Sequence, residues 1–212
     1  MIQIENLSKK FDKTFSLDNV TLSFKRGDAV ALMGANGAGK TTLIRAILGY
    51  YHPTSGNILV KGLNPIKKRT EVLRHISFVP QLPPPIKLNL SELIHYVHKS
   101  SDVDIDKIYH YCNEMKFDIK SNLTKSFFKL SGGMKQKLLI AISIAKKSDI
   151  IIYDEPTANL DPKARDDFYK LIQEAEKDKL SLFVTHRIEE VKDIVNRQIY
   201  MDLGKVTSDE IA

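Results

Sequence analysis

The run Ala29-Val30-Ala31-Leu32-Met33-Gly34-Ala35-Asn36-Gly37-Ala38-Gly39-Lys40-Thr41 joins a strand-like segment to a glycine-rich loop. Residues 29–33 are continuously apolar, which is typical of a buried parallel strand. Residues 34–41 match the pattern G-x-x-x-x-G-K-[ST] at every fixed position. Residues 41–48 have the pattern of a helix that ends at Gly49. Strand, loop and helix in this order predict a site for the phosphates of a nucleotide.

The residue types of this loop suit a phosphate ligand. Glycines let backbone N–H groups point inward at phosphate oxygens, and the following helix presents its positive end. We expect Lys40 to reach the β- and γ-phosphates, Thr41 to offer its hydroxyl to Mg²⁺, and Thr42 to add a phosphate contact. A tight strand-to-helix turn without a ligand is the alternative.

Two further buried strands end in polar residues. Ile150–Tyr153 leads into Asp154 and Glu155, and Leu180–Val184 leads into Thr185 and His186. Ligands of parallel α/β sheets bind at the carboxyl ends of strands. Two adjacent carboxylates there are costly unless something binds them, and strand alternation predicts that they point to opposite faces. Solvated carboxylates are the alternative.

Other segments predict the rest of the fold. Residues 1–5 alternate like an edge strand, 20–24 like a half-exposed strand, and 198–203 form the apparent last strand. The chain ends soon afterwards, so we expect no additional C-terminal regulatory domain. The helical segments Ser91–Lys99, Asp104–Met115 and Ser131–Lys147, with a polar joint over 118–124, predict a helical subdomain inserted into an α/β core.

A second glycine loop opens the last of these helices, with the sequence Leu130-Ser131-Gly132-Gly133-Met134. Ser131 is a predicted N-cap, and the two glycines expose N–H groups at the positive helix end. This predicts a second anion site.

Composition and charge limit the function classes. The longest apolar run, Leu138–Ala145, is far shorter than the ~20 residues that a membrane span needs. The formal net charge is +6, but the lysines are scattered and form no continuous basic stripe, so we expect no nucleic-acid partner. The single cysteine, Cys112, excludes an internal disulfide. His95, His98, His110 and Cys112 are predicted to be surface or packing residues, with a metal site as the alternative.

Six features of the sequence occur in the order and approximate spacing of ABC-type ATPase domains, which essentially the whole chain resembles. They are the phosphate loop, Gln81, the Leu-Ser-Gly-Gly loop, Asp154-Glu155, Asn159-Leu160-Asp161 and His186. The resemblance implies a P-loop NTPase (RecA-like) α/β core with an N-terminal antiparallel β-subdomain and an inserted α-helical subdomain. The core would cover about residues 1–88 and 148–212, and the insert about 89–147.

The resemblance also implies roles for residues. Asp154 would support Mg²⁺, Glu155 would act as general base, and Gln81 would touch Mg²⁺ and the attacking water. His186 would contact the γ-phosphate, and Phe11 would stack on adenine, with core packing as its alternative. Each ATP would lie between the phosphate loop of one subunit and the loop at Ser131, Gly132 and Gly133 of the other. Asp161 would pass near that seam and also cap a helix that begins at Pro162.

The implied function is an ATP-hydrolysing subunit that powers an integral membrane permease on separate chains. We expect a homodimer at the inner, cytoplasmic face of the cell membrane, with ATP and Mg²⁺ as ligands. The motifs are similar to those of compact exporter-type ATPases, in particular the ATPases associated with copper-site maturation of nitrous-oxide reductase. The alternatives are a soluble family member that acts on ribosomes or DNA, and a non-hydrolysing ATP-dependent interaction module.

Overall fold

The computed structural model describes residues 1–175 and 178–211, which contain both strands and helices. The strands are β1 (Ile2–Phe11), β2 (Thr14–Phe24), β3 (Ala29–Met33), β4 (Ser55–Val60), β5 (Ile76–Val79), β6 (Ile150–Asp154), β7 (Leu180–Val184), β8 (Arg197–Asp202) and β9 (Lys205–Ile211). The α-helices are α1 (Lys40–Ile47), α2 (Arg69–Arg74), α3 (Leu90–Ser101), α4 (Ile105–Glu114), α5 (Gly132–Ala145), α6 (Pro162–Ala175) and α7 (Ile188–Val191). Each helix within these residues is too short or too polar to cross a bilayer.

The chain separates into two units. The first contains Met1–Ile76, Asp149–Asp154 and the described part of 178–212, and the second contains Ser77–Ser148 and the described part of 155–177. The insert expected at about 89–147 stays a prediction.

A small antiparallel sheet in the first unit has the strand order β2-β1-β4. The prediction that residues 1–5 form an edge strand is therefore wrong, because β1 is the middle strand. Ile2 and Ile4 are buried while Gln3 and Glu5 are exposed. That alternation indicates that one face of the sheet is covered. It does not indicate whether the strand is central or at an edge.

The larger sheet of the first unit has the order β6-β7-β3-β8-β9. β6, β7, β3 and β8 are parallel, and β9 pairs with β8 in the antiparallel direction. β8 was predicted as the last strand, and this is wrong. The chain turns back at Leu203 and Gly204, with φ of 46° and 80°, and forms β9. The apolar Leu203 carried no turn signal.

The continuous apolar runs of the larger sheet are explained by burial on both faces. Val30, Ala31, Ile151 and Leu180 are fully buried, and the rings of Tyr153 and Phe183 stack with centroids 5.2 Å apart. The predicted strands at residues 29–33 and 180–184 match β3 and β7 in the structure.

The second unit contains α3 to α6, and local sequence sets where these helices begin. Asn89 and Glu92 form a reciprocal capping box at α3, and the Asp104 side chain accepts a hydrogen bond from the N–H of Asp106 at α4. A 3-10 turn at Lys120–Asn122 occupies the predicted joint.

Candidate nucleotide-binding site

The glycines of the phosphate loop adopt backbone conformations that favour glycine. Gly34, Gly37 and Gly39 have φ of 142°, 87° and 99°. A Cβ at Gly34 would lie 2.1 Å from the carbonyl oxygen of Met201, and a Cβ at Gly39 would lie 2.5 Å from that of Ser16. Ala38 is buried, whereas Asn36 is exposed. The loop is thus fixed by packing on its inner side and open on its outer side.

The polar residues at the start of α1 are arranged around this loop. The Lys40 ammonium donates hydrogen bonds to the carbonyl oxygens of Gly34, at 2.6 Å, and Ala35, at 3.0 Å. Thr41 is exposed in the first turn. The hydroxyls of Thr42 and Ser16 share a hydrogen bond of 2.7 Å. Among the described side chains none caps α1, and its first turn contains no acidic residue. The helix therefore presents its positive end to a ligand.

Two supports of the loop were not predicted from the sequence. Ser16, on β2, holds Thr42, and the N–H of Gly204 donates to the carbonyl oxygen of Ala38 at 3.1 Å. The carbonyl of Gly204 in turn accepts from the N–H of Asp18 at 2.9 Å. The only sequence signal was Gly204 itself, a turn residue that follows a strand.

The register of the larger sheet aligns three strand ends in the first unit. Leu32 pairs with Val184, and Val184 pairs with Asp154, so all three lie in one row across β3, β7 and β6. The phosphate loop begins two residues after Leu32, and His186 lies two residues after Val184. His186 is exposed, and its Nε2 accepts a hydrogen bond of 3.4 Å from Arg187. Phosphate loop, Asp154 and His186 therefore follow the same edge.

The sequence predicted that strand alternation would orient the Glu155 side chain, but Glu155 lies outside the strand. β6 ends at Asp154, and Glu155 has a left-handed backbone with φ of 47°. A turn, not the pleat of a strand, therefore sets the direction of its side chain. Left-handed non-glycine residues are uncommon and cluster at functional sites.

In the second unit the second glycine loop opens α5 as predicted. The Ser131 hydroxyl accepts a hydrogen bond from the N–H of Met134 at 3.2 Å, which confirms the N-cap. Asn159 lies against both glycines: a Cβ at Gly132 would be 3.6 Å from its Oδ1, and a Cβ at Gly133 would be 3.0 Å from its carbonyl oxygen. The sequence analysis assigned Asn159 no role of its own beyond the motif of residues 159–161.

Asp161 caps α6, as predicted. Its Oδ1 accepts a hydrogen bond of 3.0 Å from the N–H of Ala164. This bond is the main cause of a lowered pKa of the Asp161 carboxyl, to which the charge of Lys137 adds.

The loop that contains Gln81 belongs to the second unit, and its backbone carbonyl groups accept hydrogen bonds from side chains of that unit. The carbonyl oxygen of Gln81 accepts from Asn159 Nδ2, and that of Pro80 accepts from Gln136 Nε2, each at 3.5 Å. The Gln81 residue itself is exposed. One side chain, Asn159, thus contacts both the Gln81 loop and the second glycine loop.

Phe11 lies at the surface of the first unit. It is 41 % exposed, and its ring meets that of Tyr51 edge to face with centroids 5.1 Å apart. Core packing, the alternative considered for Phe11, is therefore wrong.

The donor groups suit magnesium bound together with phosphate. Within 1–175 and 178–211 there is no group of three or more His, Cys, Asp or Glu residues that could hold a metal ion alone. Mg²⁺ keeps several waters and is bound by one or two protein oxygens plus substrate phosphates. An exposed threonine beside the phosphate loop and a carboxylate on the same sheet edge fit that pattern.

Comparison with known proteins agrees with this geometry. A family model described as ABC transporter matches residues 17–158. The galactose/methyl galactoside import ATP-binding protein MglA of Clostridium perfringens is 34 % identical over 221 residues, which cover 100 % of this chain and 43 % of MglA. The chain thus spans less than half the length of that relative.

Two relatives are covered more fully. The energy-coupling factor transporter ATP-binding protein EcfA2 of Clostridium perfringens is 34 % identical, with 98 % of this chain and 79 % of EcfA2 covered. The ABC transporter ATP-binding protein YtrB of Bacillus subtilis is 31 % identical, with 98 % and 71 % covered.

A solved structure of the ATP binding subunit of an ABC transporter has a TM-score of 0.90 and 25 % identity, covering 100 % of this chain and 90 % of that one. The resemblance and the P-loop NTPase fold class inferred from the sequence are confirmed. The chain belongs to the ABC transporter family and has the fold of its ATP-binding ATPase domain.

Proposed function

We propose that this chain hydrolyses ATP as the nucleotide-binding subunit of a transporter, forms a head-to-tail dimer around ATP, and drives a permease on separate chains. The observation that carries the proposal is the row formed by Leu32, Val184 and Asp154. That row brings the phosphate loop, a carboxylate and a histidine to one edge of the sheet.

The phosphate loop binds and orients the triphosphate. Its N–H groups and the N-terminus of α1 face the phosphate oxygens. Lys40, which donates to loop carbonyls in this structure, reaches the β- and γ-phosphates, and Thr42 adds a contact. Thr41 and Asp154 would hold Mg²⁺, Asp154 through water. When bound, the ion would supply positive charge that neutralises the phosphate oxygens.

The remaining residues act on the attacking water. Glu155, directly after Asp154, accepts its proton as general base. Gln81 would touch Mg²⁺ and position the attacking water, and His186 would contact the γ-phosphate and the water. Phosphoryl transfer depends mainly on such positioning and on electrostatic stabilisation.

The second glycine loop supplies the other half of a site. Ser131, Gly132 and Gly133 lie at the N-terminus of α5 and would contact the γ-phosphate held by a second copy of the chain. Asp161 would lie near the seam. The simplest assembly is a homodimer with two such sites.

The relatives support a membrane partner. EcfA2 and YtrB are both named as ATP-binding proteins of transporters. By analogy, this chain would associate with a permease at the inner face of the membrane. The relatives support no copper link, so the predicted role in copper-enzyme maturation stays a prediction.

Replacing Glu155 by Gln tests the hydrolytic role. We expect Glu155→Gln to lower the rate of ATP hydrolysis by about 10²–10⁴-fold, because the general base is lost while the shape is kept. Glu174→Gln, an exposed change on α6, serves as the matched control and is expected to leave the rate unchanged. Wild-type hydrolysis by Glu155→Gln would contradict the assigned mechanism.

The partner class is tested separately. Glu155→Gln, loaded with ATP, is used to capture partners from native membranes, and an integral membrane protein is the expected product. Recovery of ribosomes or DNA-processing proteins without an integral membrane protein would favour the soluble alternative.

A further inference from the structure

Aromatic and basic side chains surround Phe11 in the first unit. The Tyr51 ring meets the Phe11 ring at an interplanar angle of 77°, and the Lys9 ammonium lies 5.0 Å from the Phe11 centroid and 5.8 Å from that of Tyr51. An edge-to-face pair with a cation over both rings is an attractive arrangement. We call Lys9, Phe11, Arg45 and Tyr51 the Phe11 cluster.

Two hydrogen bonds hold the side chains of Lys9 and Tyr51 in this cluster. Lys9 Nζ donates to the carbonyl oxygen of His52 at 2.9 Å, and Arg45 Nη1 donates to Tyr51 Oη at 2.8 Å. Arg45 lies on α1, the helix that begins at the phosphate loop. Tyr51 therefore has a fixed position relative to α1.

Phe11 is linked to the same helix by a second route. Across the β1–β2 hairpin Phe11 pairs with Thr14, and Ser16, two residues further on, bonds to Thr42 in the first turn of α1. One connection runs from the start of α1 through β2, and the other from Arg45 through Tyr51. Together they fix the Phe11 ring while leaving 41 % of the residue exposed.

We propose that Tyr51 is a positioning residue for the nucleotide base, because it holds the Phe11 ring edge to face in the orientation in which it receives the base. This inference rests on the proposed function, together with the role that the family resemblance implies for Phe11, stacking on adenine. Tyr51 acts on base affinity alone, because its contacts reach neither the triphosphate nor the groups that activate water. A Tyr51 variant therefore changes KM and leaves kcat unaffected.

Steady-state ATP hydrolysis by Tyr51→Leu tests the inference. Loss of an aromatic pair predicts a KM for ATP about 3- to 10-fold higher with kcat unchanged. Inorganic tripolyphosphate has no base, so its inhibition constant should not change. Tyr51→Phe keeps the ring and loses only the hydrogen bond from Arg45, so its KM should be closer to that of the wild type than to that of Tyr51→Leu. The matched control is Tyr50→Leu, because Tyr50 is 56 % exposed and its ring packs against Arg69 and not against Phe11. Arg69 Cζ lies 4.1 Å from the centroid of the Tyr50 ring.

An unchanged KM in Tyr51→Leu would overturn the inference. So would an equal loss of tripolyphosphate inhibition, which would indicate a general disturbance of the loop, or a Tyr51→Phe variant as impaired as Tyr51→Leu. Phe11→Ala separates this inference from the proposed function. If Phe11→Ala raises KM and Tyr51→Leu does not, only the role of Tyr51 fails. If neither variant changes KM, the stacking role of Phe11 fails as well.

Discussion

Single residues of the phosphate loop are constrained by distant parts of the chain. Gly34 is held against the backbone of Met201, and Gly39 against that of Ser16. The phosphate-loop motif requires glycine at positions 34 and 39, so their importance was predictable from the sequence. The groups that exclude a side chain could not be predicted, because Met201 lies far away in the sequence and reaches the loop only through the pairing of β8 with β3.

The two kinds of glycine in the loop are predicted to differ in their tolerance of alanine. In Gly34→Ala the new Cβ meets a backbone oxygen that cannot move aside, so we expect a loss of unfolding free energy of about 3 kcal/mol or more. In Gly37→Ala only the backbone strain of a positive φ arises, which costs about 1–2 kcal/mol, because no atom lies within 4 Å of the Cβ. Urea unfolding of both variants checks this. Equal losses would show that the contact with Met201 is unimportant.

Glu155 illustrates a residue property that local patterns do not reveal. The apolar strand before Glu155 and the proline after it, Pro156, are compatible with a sharp exit from the sheet. They did not indicate that the exit begins one residue earlier, at a left-handed glutamate. Glutamate has no intrinsic preference for this conformation, so the surrounding fold must impose it.

At the level of elements, the features that depend on neighbouring residues were predictable. The caps by Ser131 and Asp161 are confirmed, and they were predictable because each hydrogen bond joins residues only three positions apart. The central position of β1 and the presence of β9 were missed, because pairing partners distant in sequence determine both.

Ser131 is predicted to have two roles that one substitution separates. Asp is as good an N-cap as Ser, so Ser131→Asp should change the unfolding free energy by less than about 0.5 kcal/mol. Its negative charge would repel a triphosphate, so the variant should lose the ATP-dependent dimer that Glu155→Gln would otherwise form. Light scattering of the double variant Glu155→Gln/Ser131→Asp with ATP measures the loss of the dimer. Ser131→Ala, which loses the cap at a cost of about 0.5–2 kcal/mol, is the comparison. An undiminished dimer in Ser131→Asp would exclude Ser131 from the nucleotide site.

At the level of the whole molecule, one ion-pair cluster links segments of the first unit that are distant in sequence. Asp149, just before β6, pairs with Lys61, which follows β4, and its Oδ2 lies 3.2 Å from His75 Nδ1. The hydrogen bond from Lys61 is the main cause of a lowered pKa of the Asp149 carboxyl, and His75 adds to it.

This cluster predicts a pH dependence of stability. Because the pKa of Asp149 is lower in the folded state, its contribution is present above the unfolded value of about 3.9 and is lost as pH falls through the folded value. Lys61→Met should therefore destabilise the protein by a constant amount above about pH 5, and the difference from wild type should shrink below about pH 4. Urea unfolding across this range measures the effect, with exposed Lys13→Met as control. A difference independent of pH would rule out the ion pair as its cause.

The family was predictable from the sequence, whereas much of the site's support was not. The motifs bind the same nucleotide in many proteins, so residue types and order alone identified the ATPase domain. Ser16, Asn159 and Gly204 act through backbone and side-chain contacts that the fold creates. The substrate of the proposed transporter was not predictable, because these motifs bind ATP and carry no information about a transported molecule.

In the proposed function, each ATP site is shared between two copies of the chain. The most direct test is the mass of Glu155→Gln in solution, measured by light scattering with and without ATP and Mg²⁺. One chain has a mass of 24.1 kDa, and we expect this mass without ATP and about twice this mass with ATP. A mass that stays at that of one chain while ATP is bound to saturation would rule out a shared site.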